Sequence, residues 1–335
     1  MSTQREDSIP HELRTAAEPR QNRLYPVRLS HVEQVNPSIR LLQFAIPSQE
    51  SNVDNNQQPF TFLPGQWLDV HIPNIPTAGG FTITSTPADA QALPSPEPPG
   101  EPLLGEEAGS SIPCQGREPY VELAVQDSPS NPPAAWLWKP KEQIIGKEVN
   151  IRVGGSFVWP PTRVDRGQVK NVVFIAGGVG INPLISILSH LNNQTESTQP
   201  LNIHFLYSSR LPQGHETASP DESLNQILFL PRIRQIIRSQ RQSHRLRISL
   251  DLFLTDSNSS HLTPSSAPAD LTIHSKRIEK SDLLSAVVGG DGKLDPQESV
   301  AYVCGPPQMT DEMVELLKCM LGEGGEQRVF FEKWW

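Results

Sequence analysis

Cysteine is scarce in this chain: Cys114, Cys304 and Cys319 are the only three in 335 residues, and they stand far apart. No disulfide framework, zinc site or four-cysteine iron–sulfur cluster can be built from them, so no metal site is expected and any redox chemistry must come from an organic cofactor. Long apolar runs are missing too. None approaches the roughly 20 residues that a membrane-crossing helix needs, and no transmembrane segment or secretory leader is expected. Positive charge is short: 28 Lys and Arg against 37 Asp and Glu leave a net charge of −9. That balance argues against a nucleic-acid partner or an anionic membrane surface. Arg5, Arg14, Arg20 and Arg23 give the start of the chain a faint likeness to a mitochondrial transit peptide, which Glu6, Asp7, Glu12 and Glu18 oppose. Residues 1–24 are expected to form a disordered tail and the location to be cytoplasmic, with the mitochondrion as the alternative.

Proline, by contrast, is abundant, and the 33 prolines collect in loops. Residues 48–59 are polar, and residues 88–118 are rich in Pro, Gly and Glu. The second stretch has too little apolar area to offset the entropy of ordering and is expected to be a mobile insertion. Around these stretches, residues 25–165 alternate. Leu68, Val70 and Ile72 share one face while Trp67, Asp69 and His71 take the other. Val121, Leu123 and Val125 repeat the pattern, as do Val149, Ile151 and Val153. Short strands with one buried face predict an antiparallel β-barrel or sandwich.

Residues 166–335 read differently. Val172 to Ile175 is an unbroken apolar run, as in a parallel strand covered on both faces. A helix follows, with Asn182 as its expected cap and Pro183 at its first helical position. Strands near Leu201–Tyr207, Leu246–Leu254 and Val300–Cys304 alternate with helices near Ser223–Ser239, Ser281–Val288 and after Thr310. This order predicts a doubly wound α/β domain with a parallel sheet. Two domains fit the length.

Three motifs carry chemistry. Gly177-Gly178-Val179-Gly180 ends a buried strand and feeds a helix directly, which suits a dinucleotide pyrophosphate: the backbone approaches closely and the helix start offers free N–H groups. Cys304-Gly305-Pro306 ends another strand at the sheet's carboxyl edge, although on spacing alone Cys304 reads as a small buried residue. The chain closes on Phe330-Phe331-Glu332-Lys333-Trp334-Trp335, more apolar area than a free terminus carries; it packs on the barrel or covers a flat cofactor.

In these motifs and their order the chain resembles the ferredoxin–NADP reductase-like superfamily, and in detail the oxidoreductase NAD-binding domain-containing proteins, over about residues 25–335. The resemblance implies a flavin-dependent NAD(P)H oxidoreductase that passes hydride from nicotinamide to FAD, or to FMN in its place, and electrons on to an unidentified acceptor, a protein being one candidate. It gives Gly177, Gly178, Val179, Gly180, Asn182 and Pro183 to the dinucleotide. Cys304, Gly305 and Pro306 fall to the nicotinamide, and Cys304 and Glu332 to the hydride-transfer pocket. Trp334 or Trp335 becomes the ring stacked on the flavin. In the barrel, Phe81 takes the place of the flavin-facing aromatic and Thr82 that of the hydroxyl on flavin N5. Ser85 supplies a second hydroxyl, and Gly154, Gly155 and Ser156 the turn that closes the barrel. Gly79 stands where the superfamily has a phosphate-binding arginine, and Asn131-Pro132-Pro133-Ala134 replaces its Gly-x-x-Ser. The loss of that arginine leaves a second reading open, a catalytically silent NAD(P)-binding sensor or interaction protein that has lost flavin. Arg210, after the second strand of the α/β domain, suits a 2′-phosphate or a solvated loop, leaving NADH and NADPH both open.

Overall fold

The computed structural model describes residues 10–47, 59–92, 117–194, 200–211, 220–255 and 270–333. Most of the stretches 48–59 and 88–118 lies outside the described residues, as do Trp334 and Trp335.

A short helix, α1 (His11–Arg14), precedes six strands: β1 (Tyr25–Asn36), β2 (Ile39–Ala45), β3 (Trp67–His71), β4 (Gly79–Thr82), β5 (Tyr120–Gln126) and β6 (Glu148–Gly154). They form an antiparallel sheet in the order β4-β3-β6-β1-β2-β5, and an Ile83–Leu123 bridge joins its two ends into a barrel. Leu68 pairs with Val153 and Val70 with Ile151, all four fully buried in one apolar cluster. The alternation produces this: every second side chain of a strand faces the core. Helices α2 (Pro132–Leu137) and α3 (Lys141–Ile144) lie between β5 and β6 in the chain.

The second sheet is wholly parallel, in the order β10-β9-β8-β7-β11-β12. Its strands are β7 (Asn171–Gly177), β8 (Leu201–Ser209), β9 (Leu246–Leu254), β10 (Thr272–His274), β11 (Ser299–Gly305) and β12 (Val329–Lys333). β7 and β11 are buried at every residue, so their sequences run apolar without alternating. Helices α4 (Ile181–Asn193), α5 (Pro220–Asn225), α6 (Leu230–Ser243), α7 (Lys280–Val288), α8 (Pro307–Met320) and α9 (Gly325–Arg328) link the strands. The chain runs outward from β7 to β10, then returns to the other side of β7 as β11. The order therefore reverses between β7 and β11, where open α/β sheets hold ligands at their carboxyl ends.

Some boundaries differ from the sequence expectation. The helical stretch near Ser223–Ser239, expected to break or kink at Pro231, is two helices; the break falls before Pro231, which sits in the first turn of α6, where its missing N–H costs nothing. α4 starts at Ile181 with Gly180 at its cap, so Asn182 is inside the helix and free of capping duty. Glu279 caps α7 through a reciprocal pair with Asp282, and Thr310 lies within α8, its hydroxyl donating to the Gly305 carbonyl. Among the described residues, no helix is long and apolar enough to cross a membrane.

Candidate functional site

The glycine turn and the Cys304 turn meet at the reversal point. β11 pairs with β7 so that Cys304 lies beside Ala176, and a Cβ added to Gly180 would stand 2.2 Å from the Cys304 carbonyl oxygen. Any side chain there would drive the two turns apart. Gly178 to Gly180 form a tight turn that delivers the chain into α4. Val179 packs on the α/β core, and Pro306 stands at the cap of α8. Asn182 is buried and its amide Nδ2 donates to the Ala124 carbonyl of β5 at 3.1 Å, so this residue ties the two domains together. Arg210 is exposed just past β8.

On the far side of β11, β12 sets Glu332 beside Cys304. Oxygen Oε2 of Glu332 is shut off from solvent and has no hydrogen-bond partner among the described residues. Burial first, and then the Glu18 carboxylate, push this acid up to about 8, so it is mostly neutral at pH 7. Burial, reinforced by Glu332, raises the Cys304 thiol well above its ordinary range and leaves it protonated. Phe330 stacks on Tyr302 at 4.9 Å and belongs to the core, whereas Phe331 is exposed.

The barrel side carries the larger departures. Phe81 pairs with Leu68 and packs against the barrel core, while Thr82 pairs with Trp67 on the opposite face of the sheet. The two residues expected to attend one flavin ring therefore share no face, because adjacent residues of a strand point opposite ways. The space an arginine at position 79 would use is filled: a Cβ on Gly79 would lie 2.5 Å from the Phe81 ring and 2.6 Å from Pro133. At the start of α2, Pro132 and Pro133 have no N–H, and the Ala134 N–H is taken by the Asn131 side chain. No free donor remains in that first turn for a phosphate. Ser85 turns to the domain interface, its Oγ accepting from the Glu122 N–H and its carbonyl from Ser186.

The N-terminal segment is a second departure. Residues 10–24, expected within a disordered tail, lie on the barrel as an arm. Arg20 bridges to Gly154, Gln21 N–H donates to the Val153 carbonyl, and Gly155 N–H donates to the Pro19 carbonyl. The Ser156 hydroxyl donates to Glu18 at 2.6 Å and its N–H at 3.1 Å. Buried Asp69 gathers His11 at 3.1 Å, Arg20 at 2.9 Å and Arg152 at 2.7 Å. Burial would raise that carboxyl, but the bonds from His11, Arg152 and Arg20 outweigh it and hold it well below the usual carboxylate range. Composition hid the arm because it is fastened by charge and one indole rather than by apolar residues of its own. The available signal was Trp67 and Asp69, an indole and an acid on a face that alternation assigns to solvent.

Across the domain interface, Arg232 of α6 makes a two-pronged contact with buried Glu122 of β5 at 2.9 and 3.2 Å. The Tyr302 hydroxyl donates to the Val158 carbonyl at 3.0 Å. Together with Asn182 and Ser186 these bonds clamp the barrel to the carboxyl edge of the parallel sheet.

The model of the ferric reductase NAD binding domain family matches residues 169–317, the part that holds both turns. Among solved structures, a ferredoxin NADP+ reductase from Neisseria gonorrhoeae with bound FAD and NADP superimposes with a TM-score of 0.57, covering 93% of this chain and 99% of that one. At 13% identity that likeness is one of fold. The reductase component of propane 2-monooxygenase from Rhodococcus jostii is 25% identical over 82% of this chain and 56% of its own. Oxidoreductase NAD-binding domain-containing protein 1 of Danio rerio is 30% identical over 97% of both chains. With that identity across both lengths, the chain belongs to the oxidoreductase NAD-binding domain-containing protein 1 family, with the two-domain fold of the ferredoxin reductases.

Proposed function

We propose that this protein is an NAD(P)H-dependent oxidoreductase that takes the dinucleotide pyrophosphate on Gly177–Gly180 and the start of α4, with the nicotinamide end toward Cys304 and Glu332. One observation carries the reading: strand register sets Ala176, Cys304 and Glu332 in a row at one carboxyl edge, with a solvent-shielded, unpartnered carboxyl oxygen at its end. When bound, the dinucleotide supplies a hydride. The chain supplies the surroundings. A neutral Glu332 can donate one hydrogen bond and accept another, which suits a carboxamide, and it carries no charge to repel electrons arriving nearby. Cys304, a protonated thiol, forms a small polarisable wall and is no nucleophile.

A tightly held FAD is not part of this reading. The arginine is absent, its space is filled by Phe81 and Pro133, and the first turn of α2 offers no free donor. Such contacts are charge-assisted and among the stronger ones a flavin phosphate has. The electron acceptor is a molecule that visits the cleft, small or brought by a partner protein. The arm over the barrel face favours a second reading, a nicotinamide-nucleotide sensor without turnover. Titration of the purified protein with NADH and NADPH, followed by nicotinamide fluorescence, tests the binding; saturation by at least one is expected, and none with either refutes both readings. Steady oxidation of the bound cofactor with a soluble one- or two-electron acceptor then separates enzyme from sensor.

A further inference from the structure

Trp67 stands on the outer face of the barrel sheet yet is only 2% exposed. The arm covers it. Arg20 lies over the indole with its guanidinium carbon 4.8 Å from the ring centroid, and the His11 ring meets it edge-on at 4.6 Å. The indole runs along the backbone of Gly154 and Gly155, where added Cβ atoms would lie 2.4 and 2.7 Å from it, and Thr82 is its neighbour across β4. We propose that the arm Pro10–Leu24 is a built-in competitor for the ring seat that the family resemblance places on this face, at Thr82 and the Gly154–Ser156 turn, with Trp67 as its floor. This rests on the dinucleotide reading above, since a ring in the seat matters to hydride transfer only if nicotinamide arrives at the adjoining edge.

The arm makes the contacts such a ring would make. A guanidinium on an indole is one flat π-system stacked on another. Pro19 and Glu18 take the N–H groups of Gly155 and Ser156, donors suited to the carbonyl oxygens and ring nitrogens of a flavin. The trough is cleared of side chains: Gly80 lies opposite Asp69, and a Cβ there would meet the His11 ring at 2.1 Å. Glu18 reaches far enough into the cleft to raise Glu332. The arm is also able to leave. Arg152, which belongs to β6, holds Asp69 through two donors, so departure of His11 and Arg20 strands no buried charge. With no phosphate anchors at Gly79 or α2, the seat reads the ring alone, and riboflavin, FMN and FAD bind alike.

The test is quenching of riboflavin, FMN and FAD fluorescence by the full-length chain and by two variants that unseat the arm at different points without altering the seat, Glu18→Ala/Arg20→Ala and His11→Ala. An arm seated about 99% of the time weakens apparent ligand affinity about 100-fold. Both variants are expected to bind all three flavins at least tenfold tighter than the parent, with trypsin cutting after Arg14 and Arg23 sooner. Three results would each overturn the proposal: a freed arm with unchanged flavin affinity, an arm still protected in both variants, or tight flavin retention by the parent. NADH titration of the same samples keeps the two claims apart, because loss of dinucleotide binding in the parent counts against the proposed function and leaves the flavin comparison to decide the seat.

Discussion

Glu332 and Asp69 are two carboxyl groups that burial treats alike and their neighbours treat oppositely. Glu332 has Glu18 and a thiol nearby and is pushed up to about 8; Asp69 has two guanidinium groups and His11 and is held far down. The consequences for stability have opposite signs. A folded-state value above the unfolded 4.5 means that the native protein binds the extra proton. The Glu332 contribution is therefore whole below about pH 4.5 and is lost as pH rises through 8. Glu332→Gln should flatten the fall in melting temperature between pH 5 and 8, measured by thermal unfolding across that range; an unchanged slope would mean that the acid is not buried neutral. Asp69 works the other way, contributing above its unfolded value of 3.8 and failing only on strong acidification. Neither property was legible from sequence, because each depends on which distant residues the fold delivers. The motif identified Glu332 as a site residue; its protonation state follows from burial and from Glu18 on the arm.

At the scale of elements, the glycine turn and α6 make the sharpest predictions. Gly180→Ala places a carbon 2.2 Å from a backbone oxygen that belongs to the neighbouring strand end, with no flexible side chain to yield. It should cost about 1–3 kcal/mol, typical of overpacking, and weaken NAD(P)H binding more than tenfold; denaturant midpoints and nicotinamide titration check both. Arg232→Ala leaves Glu122 buried against Thr84 without its cation. Because the guanidinium is itself about a third exposed, the loss should be about 2–3 kcal/mol, and Arg232→Lys should restore only part of it, since an ammonium cannot reproduce a two-pronged contact. An equal melting point for the alanine variant would show that the domains are not held there. Strands and glycine turns were readable in advance because their patterns are local: period two for the segments that became β3, β5 and β6, unbroken apolar runs for β7 and β11. Asn182 was not, since its helix begins two residues sooner and its side chain answers to Ala124 in the other domain.

The whole molecule is a barrel and a parallel sheet joined so that the barrel's outer turn faces the carboxyl edge where two motifs and Glu332 converge. On the proposed reading the two turns take the dinucleotide, while Gly79 and the first turn of α2 offer no phosphate anchor, and the arm lies over the face that carries Trp67 and Thr82. Sequence resemblance anticipated the two-domain frame, and the glycine at position 79 marked where the superfamily's phosphate-binding arginine is missing. The arm stayed hidden because a segment of mixed charge looks disordered until Asp69, Trp67 and a glycine trough are placed beneath it. The most direct test is the absorption spectrum of the purified full-length protein, taken with a parallel nicotinamide fluorescence titration. We predict no stoichiometric flavin bands together with saturable binding of NADH or NADPH. A yellow protein that keeps one FAD per chain through gel filtration, or one that binds neither dinucleotide, would contradict the account.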